Sequence, residues 1–511
     1  MEAYDIRESL DEFSAAREQF ERIVGALQSD ELMGAEHGDV EQYLFEDGFE
    51  LLRRLFQGHL DRRSAVEPLR ESVTGSDGVA RTHRRAGCAR PLESVSGEVT
   101  VSRVGYGYPG WESVFPLDAA LNLPPGKYSH GLQTLLGSEV AKGAFEEAVA
   151  TLRKLTGGAV PKRQAEELAP GIAVDFDAFY ATRRLGEPEE TDDLLVMSTD
   201  GKGVVMHEEA LREATRRAAE RAREDGGKKR TRLKPGEKSN RKRMSTVAAV
   251  YTVAPHERTA EEVMGVLESE DGEQLEKPSR PRPENKRVFA SLEKEPAEVI
   301  AEMLAEAERR DPEHERRRVV LIDGAEHQLK LIKKEVRTRG VDATIVLDLI
   351  HVLEYLWDAA HCFFPVGSDA AEEWVSEKAL EILRGNAGQV AGGMRRKATK
   401  LGLSDKKRKN VDKCAGYLLK YKRYLRYDEY LADGLPIASG VIEGACRYLV
   451  KDRMELTGAR WGLDSAEAVL KLRALRASGD FDDYWSFHRA EDFKRHHRSR
   501  FALYPRLEVV N

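Results

Sequence analysis

Two apolar runs in this sequence end on an aspartate followed by glycine: LLVMSTDGKG, with Asp200, and VVLIDGAEHQ, with Asp323. A charged residue at the end of an apolar strand is displayed at the rim of an α/β sheet, where such sheets build their sites. The glycine after each leaves room for a ligand to come close to the backbone. A third acid, Glu443 in ASGVIEGACRYLVKDRM, lies between apolar neighbours on a segment with helical spacing. Singly, an aspartate after a strand is ordinarily a turn residue or helix cap, and a glutamate on a helix is ordinarily solvated. Gathered in one site, three carboxylates repel one another and require a cation. They are hard oxygen ligands suited to Mg²⁺ or Mn²⁺. Two such ions about 4 Å apart activate a water or hydroxyl and stabilise the leaving oxygen of an in-line displacement at phosphorus. The acids are 123 and 120 residues apart, so only the fold can bring them together. Asp348 also closes an apolar strand and competes with Asp323 for the role of ligand.

The elements that must position these acids form an α/β succession. Strands are expected at 193–199, 245–254, 317–323 and 342–348, and helices at 206–224, 296–310, 325–338 and 349–361. Residues 269–287 read as a loop rich in proline and charge. From about 370 to 430 the chain is helical and basic, and 439–477 forms one or two long helices. This predicts an α/β core interrupted by a helical subdomain. Upstream, 4–28 and 39–60 read as amphipathic helices of an acidic module that packs or dimerises. Residues 88–130 hold a strand or hairpin and a loop-rich joint. A helix at 139–157, the Gly157-Gly158 turn and a helix opening at Pro161 fit a helix-turn-helix. Lys162, Arg163 and Gln164 would then open a recognition helix, although many small helical pairs share this pattern.

The chain has 511 residues, formal net charge −8, 41% hydrophobic and 33% charged residues, which excludes a chain disordered throughout. The negative total conceals a division. Residues 1–60 hold 15 acidic and 5 basic side chains, whereas 228–243 has nine basic against one acidic and 394–413 nine against two. Local fields decide what a surface attracts, so both runs are candidates for binding DNA by counterion release, or are solvated charge runs. In them we single out Arg241, Lys242 and Arg243, and Arg395, Arg396 and Lys397. On the Glu443 segment, Arg447 and Lys451 would share the helical face of the acid and, with Arg453 and Arg460, hold a phosphate backbone. Trp461 either anchors the core or stacks on a flipped base. Tyr417, Tyr421, Tyr424, Tyr427 and Tyr430 recur at three- and four-residue steps and read as helix-packing residues. Four dispersed cysteines form no disulfide framework, and neither a leader nor an apolar run of about 18 residues is seen, so a cytoplasmic protein without a membrane span is expected.

The succession STDGKG, VVLIDGAEHQLK, LDLIHVLEYLW and ASGVIEGACRYLVKDRMELTGARW resembles the DDE transposases of bacterial insertion sequences, of the ISKra type within the Mutator-like group. FPLDAALNLPPGKYSHGL with EEAVATLRKLTGGAVPKRQAEEL is similar to their N-terminal portion, so the resemblance covers about residues 85–480. It implies an RNase H-like fold with the first aspartate on the first strand, the second ending the fourth, and the glutamate on a helix after an all-helical insertion. Asp200, Asp323 and Glu443 become the catalytic, metal-binding triad for two Mg²⁺ or Mn²⁺ ions. Asp348 and His351 match the family's C/D-x-x-H element and become secondary residues, structural or DNA-positioning. Relatives often carry paired cysteines near Cys88. Here Cys88 stands alone near His83, which cannot complete a four-ligand zinc site, and no zinc is expected.

The expected organisation is an acidic helical module over 1–80, a strand and loop segment over 81–135, and a helical, possible helix-turn-helix domain over 136–190. The RNase H-like core follows over 191–365 with a basic insertion at 206–244, then a basic helical insertion over 366–436 and final core helices with a tail over 437–511. The expected activity is that of a nucleoid-associated bacterial DNA transposase. It would bind the terminal inverted repeats of its element as a dimer or larger assembly, cut them, and join the 3′-OH to target DNA. Two alternatives share these residues: an RNase H-like structure-specific nuclease or resolvase, and an inert transposon-derived DNA-binding protein.

Overall fold

The computed structural model describes residues 11–183, 188–224, 241–268 and 280–501. Two compact units divide the chain: 1–179 with 480–511, and 180–479. The segment 437–511, expected as one closing piece, is therefore split between them. The helix Phe481–His496 belongs to the first unit, where fully buried Tyr484 donates its hydroxyl to the Ile172 carbonyl at 2.6 Å.

In the first unit, helices Ser14–Leu27 and His37–Ala65 precede a short antiparallel pair, β1 (Val73–Thr74) and β2 (Ala80–Arg81). An antiparallel meander follows: β3 (His83–Ser94), β4 (Gly97–Tyr108) and β5 (Trp111–Val114). Alternation along β4 buries Val99 and Val101 against Leu60, Leu92 and Leu117. Helices His130–Lys142, Phe145–Leu155 and Lys162–Ile172 come next. The Gly157-Gly158 turn is forced by proximity to the hairpin: a Cβ at Gly157 would meet the Ser96 carbonyl oxygen at 2.4 Å, and one at Gly158 that of Ser94 at 2.2 Å.

The second unit is built on one five-stranded sheet. Its strands are β6 (Leu194–Val205), β7 (Lys242–Val253), β8 (Glu284–Ser291), β9 (Arg318–Ile322) and β10 (Thr344–Leu347), in spatial order β10-β9-β6-β7-β8. β6, β9 and β10 run parallel, and β6-β7-β8 form an antiparallel meander. The central β6 is continuously apolar at its start (Leu194–Met197), as a strand covered on both faces must be. Two expectations are corrected. The first half of β8 lies inside the stretch read as a loop, because ENKR masks its strand character until VFA. β6 also runs through Asp200 to Val205, since pairing with β7 continues after pairing with β9 has stopped at Ser198–Leu321.

Helices Pro296–Arg310 and Glu326–Arg339 make the crossovers to β9 and β10, and Leu349–Ala360 follows β10. The insertion consists of helices Asp369–Leu383, Ala387–Lys400, Asp405–Tyr421 and Tyr427–Ala432. Of the one or two long helices expected over 439–477, one forms, Leu463–Ser478. The part that carries Glu443 is short: Gly440–Ala445 passes into a π-helical turn, Cys446–Lys451, and a single α turn, Asp452–Met454.

Candidate functional site

Acids stand side by side on, or just past, three neighbouring strands. Asp323 follows β9 directly, and Asp348 follows β10, whose last pair is Leu347–Ile322. Asp200 lies two residues past the last parallel pair of β6 with β9, as Asp323 does on its own strand. Side chains alternate faces along a strand, so Asp200 and Asp323 leave the same face of neighbouring strands at the same level. Burial raises the Asp323 carboxyl above its ordinary range, and the negative charge of Asp200 adds to the shift. The Ala325 N–H, donating at 2.7 Å, acts against it. Asp200 accepts from its neighbour's Gly201 N–H at 2.6 Å and from the Cys446 thiol at 3.2 Å.

Glu443 comes to this edge from the helix Gly440–Ala445. Glu443 is exposed as a residue, yet its carboxyl is raised, by partial desolvation at this edge first and then by the charges of Asp348, Glu354 and Asp200, with His351 opposing. Among the described residues, the group whose ligand atoms close to within 4.8 Å of one another is Asp348, His351 and Glu443. This differs from the expected triad, since Asp200 and Asp323 border that group without entering it.

The bonding of Asp348 separates its role from that of Asp323. Asp348 is fully buried and caps the helix Leu349–Ala360, accepting from the Ile350 N–H at 2.9 Å. It also accepts from the Ser439 hydroxyl and faces His351 Nδ1 at 3.3 Å. Its lone pairs are thus committed within the protein. His351 is raised to about 9, mainly by that hydrogen bond to Asp348. It is therefore cationic at neutral pH in the metal-free protein, and a metal bound there would first have to displace that proton.

The helical insertion holds the strand ends in place through its tyrosines. Tyr417 donates to the Asp323 carbonyl at 2.9 Å, Tyr421 to that of Gly324, and buried Tyr427 to that of Leu347 at 2.7 Å. Gly324 has φ +90°, and a Cβ there would sit 2.8 Å from the Tyr417 hydroxyl. Tyr355 stacks on Tyr417 with ring centroids 4.1 Å apart. The rings of Tyr355, Tyr417 and Tyr421 wall an open cleft of about 570 Å³ beside Asp323, with His351, Glu354, Lys413 and Lys420 on its lining. The tyrosine spacing was visible in the sequence. Its carbonyl partners lie 80 to 97 residues away along the chain and were not. Cys446 and Ser439 also went unmarked, although Cys446 lies one helical turn past Glu443.

The expected DNA-contacting residues fall into two groups. Lys162, Arg163, Gln164, Arg241, Arg396, Arg447, Lys451 and Arg460 are exposed. Lys162 pairs with Glu146, Arg163 with Glu167, Lys242 with Glu455 and Arg395 with Asp412. Four expectations are corrected. Trp461 is 6% exposed, and its indole N–H donates to the Met454 carbonyl at 3.2 Å, so it anchors the core and presents no face for a base. Arg453 is buried over the Trp461 ring at 4.7 Å. Arg243 spends its guanidinium on the Leu292 and Ala210 carbonyls, and Lys397 lies over Phe364 at 4.2 Å. The shared face of Glu443, Arg447 and Lys451 is also lost as drawn, because the π turn changes the angular step. Its loosened carbonyls at Tyr448 and Leu449 are taken by Arg473 Nε at 3.1 and 2.9 Å. Residues 228–240 of the first basic run lie outside the described residues.

No family profile matches the chain, and no curated protein matches it. Among solved structures the chain is similar to the Drosophila P element transposase strand transfer complex, with 10% identity and a TM-score of 0.24, over 72% of this chain and 82% of that one. No helix among the described residues is long and apolar enough to cross a membrane.

Proposed function

We propose that the chain is a DNA transposase whose 180–479 unit is an RNase H-like catalytic core. The observation that carries this reading is the acid edge. Asp200 and Asp323 leave equivalent levels of the first and fourth strands of one sheet, and Glu443 reaches the same edge from a helix that follows an all-helical insertion. That placement matches the pattern implied by the resemblance. It arises from residues more than a hundred positions apart.

The donor set fits a hard divalent cation. Asp323 and Glu443 are both held above the ordinary carboxylate range by desolvation and by neighbouring acids, a cost that a cation would relieve. Asp200, Asp323 and Glu443 would hold Mg²⁺ or Mn²⁺, which would supply charge neutralisation and Lewis acidity at a scissile phosphate. Asp348, committed to the helix cap, Ser439 and His351, is assigned to positioning. It keeps the cationic imidazole beside the acids, where it can contact a DNA phosphate. Exposed Arg447, Lys451 and Arg460 extend that contact along the backbone. Cleavage by water would leave a 3′-OH on the element, and the same acids would serve its attack on target DNA. Two ends must be processed together, so an assembly of at least two chains, acting in the cytoplasm on nucleoid DNA, belongs to this reading.

The test uses the full chain with DNA carrying the ends of its element. Mg²⁺-dependent nicking, followed by covalent joining of the 3′ end to a target plasmid, is the expected result. Asp323→Asn should abolish both while leaving DNA binding intact. Nicking without joining would replace the proposal with a nuclease, and neither reaction in the wild-type chain would leave an inert DNA-binding protein.

A further inference from the structure

The first unit contains a second concentration of unbalanced charge, of opposite sign and unrelated to the acid edge. Arg90 on β3 and Arg103 on β4 lie beside each other and share one carboxylate, Asp118. Arg103 Nη1 donates to Asp118 Oδ1 at 2.6 Å, and Arg90 Nη1 to Oδ2 at 3.4 Å. Both guanidinium side chains are mostly buried, at 15% and 11% exposure. Arg500, just past the helix Phe481–His496, brings a third guanidinium to the same pocket of about 230 Å³. Three permanent cations thus face one carboxylate. Burial lowers the Arg90 guanidinium first, Asp118 opposes that shift, and the positive charges of Arg103 and Arg500 add to it.

Arg90 Nη2 already donates to the Gly126 carbonyl at 2.7 Å and to that of Pro124, so the capacity for a ligand lies with Arg103 and Arg500, and Arg90 contributes its charge. Arg103 lies with its face on the Phe115 ring, 4.1 Å from the centroid, so its polar edge is turned away from the ring. Its Nε is buried and has no hydrogen-bond partner among the described residues. A buried cation with an unsatisfied donor is costly unless an anion or water completes it. Planar guanidinium forks match the oxygens of a phosphate in geometry and charge. We propose that this pocket binds a phosphate group, with Arg103 and Arg90 as its floor and Arg500 at its rim. The pocket also has room for the sugar attached to a phosphate. The same chemistry suits a free phosphate and the terminal phosphate of a DNA strand.

Two probes on the full chain separate the sources. Inorganic phosphate is titrated by calorimetry against chloride of equal ionic strength. A short single strand with a 5′-phosphate is compared by fluorescence anisotropy with its 5′-hydroxyl twin. Saturable binding of inorganic phosphate supports a free-phosphate site. At least a tenfold preference for the phosphorylated strand supports a strand-end site. In either case the signal must fall at least tenfold in Arg500→Gln and be largely kept in Arg500→Lys. Arg500 is exposed, so these variants keep the fold, and Arg90→Gln gives a second reading from the floor. The proposal is overturned if Arg500→Gln behaves as wild type with both probes, or if wild type shows neither saturable phosphate binding nor a preference between the strands.

Discussion

Arg318, at the start of β9, is buried against Asp311 at 2.9 Å, and close by runs a chain of matched charges. Arg287 and Arg310 hold Glu306 at 2.7 and 2.9 Å, and Arg310 and Arg316 hold Glu189 at 3.3 and 2.7 Å. Just past the other end of the same strand, Asp323 faces another aspartate, and Glu443 stands among Asp348, Glu354 and Asp200. Burial raises Glu306 too, yet the arginines around it outweigh burial and hold it at about 2. A single strand therefore joins a compensated region to an uncompensated one. The first can be explained by folding alone. The second opposes folding and calls for a ligand to account for it, which is where function is to be sought.

The sharpest way to break this comparison is at Glu306. Glu306→Gln leaves Arg287, Arg310 and Arg309, the last of which also pairs with Glu306 at 2.6 Å, without their shared carboxylate and should cost about 3–5 kcal/mol, read as a lower urea midpoint at unchanged slope. Next is Gly324→Ala, which combines a positive φ with a clash against Tyr417. A loss of about 1–3 kcal/mol in the same assay is expected, with cleavage reduced because Asp323 is displaced. Tyr427→Phe removes the bond to the Leu347 carbonyl and leaves that buried acceptor unpaired, for about 1–2 kcal/mol in urea unfolding. Asp323→Asn should have the smallest effect on stability, within about 0.5 kcal/mol of wild type or slightly stabilising in metal-free protein. Finding it as damaging as Glu306→Gln would end the distinction between the two ends of β9.

Acid should drive the two regions in opposite directions. The folded value of Glu306 lies below its ordinary 4.5. Its stabilisation is therefore complete above about pH 4.5 and is lost as pH falls toward 2. Asp323 and Glu443 are shifted upward, so in metal-free protein their cost is present at neutral pH and disappears as pH falls through their raised values. Denaturant melts of wild type and Asp323→Asn between pH 7 and 4 would show this as a narrowing difference in stability. A constant difference across that range would contradict the assignment.

Much of the sheet was legible because burial on both faces writes itself as runs of apolar residues, as in LLVM and VVLI. The acids closing those runs were legible for the same reason, since a carboxylate breaks such a run conspicuously. β8 was hidden because its first half is polar, and the break in the Glu443 helix because a π turn leaves the apolar spacing nearly unchanged. Arg453 looked available for DNA, and Trp461 stayed open between core and base stacking, because local sequence does not report burial.

Local sequence thus determined four of the five strands in the second unit, the aspartates that close their apolar runs, Glu443 on its helix and the basic surface residues, since periodicity and residue type act over a few positions. Only the tertiary structure decided which acids became neighbours, that Asp348 is committed to a helix cap and Ser439, and that tyrosines 80 to 97 residues away clamp the strand ends. The physical reason is that hydrogen-bond saturation and mutual repulsion depend on distance in space, and separation along a chain does not encode it.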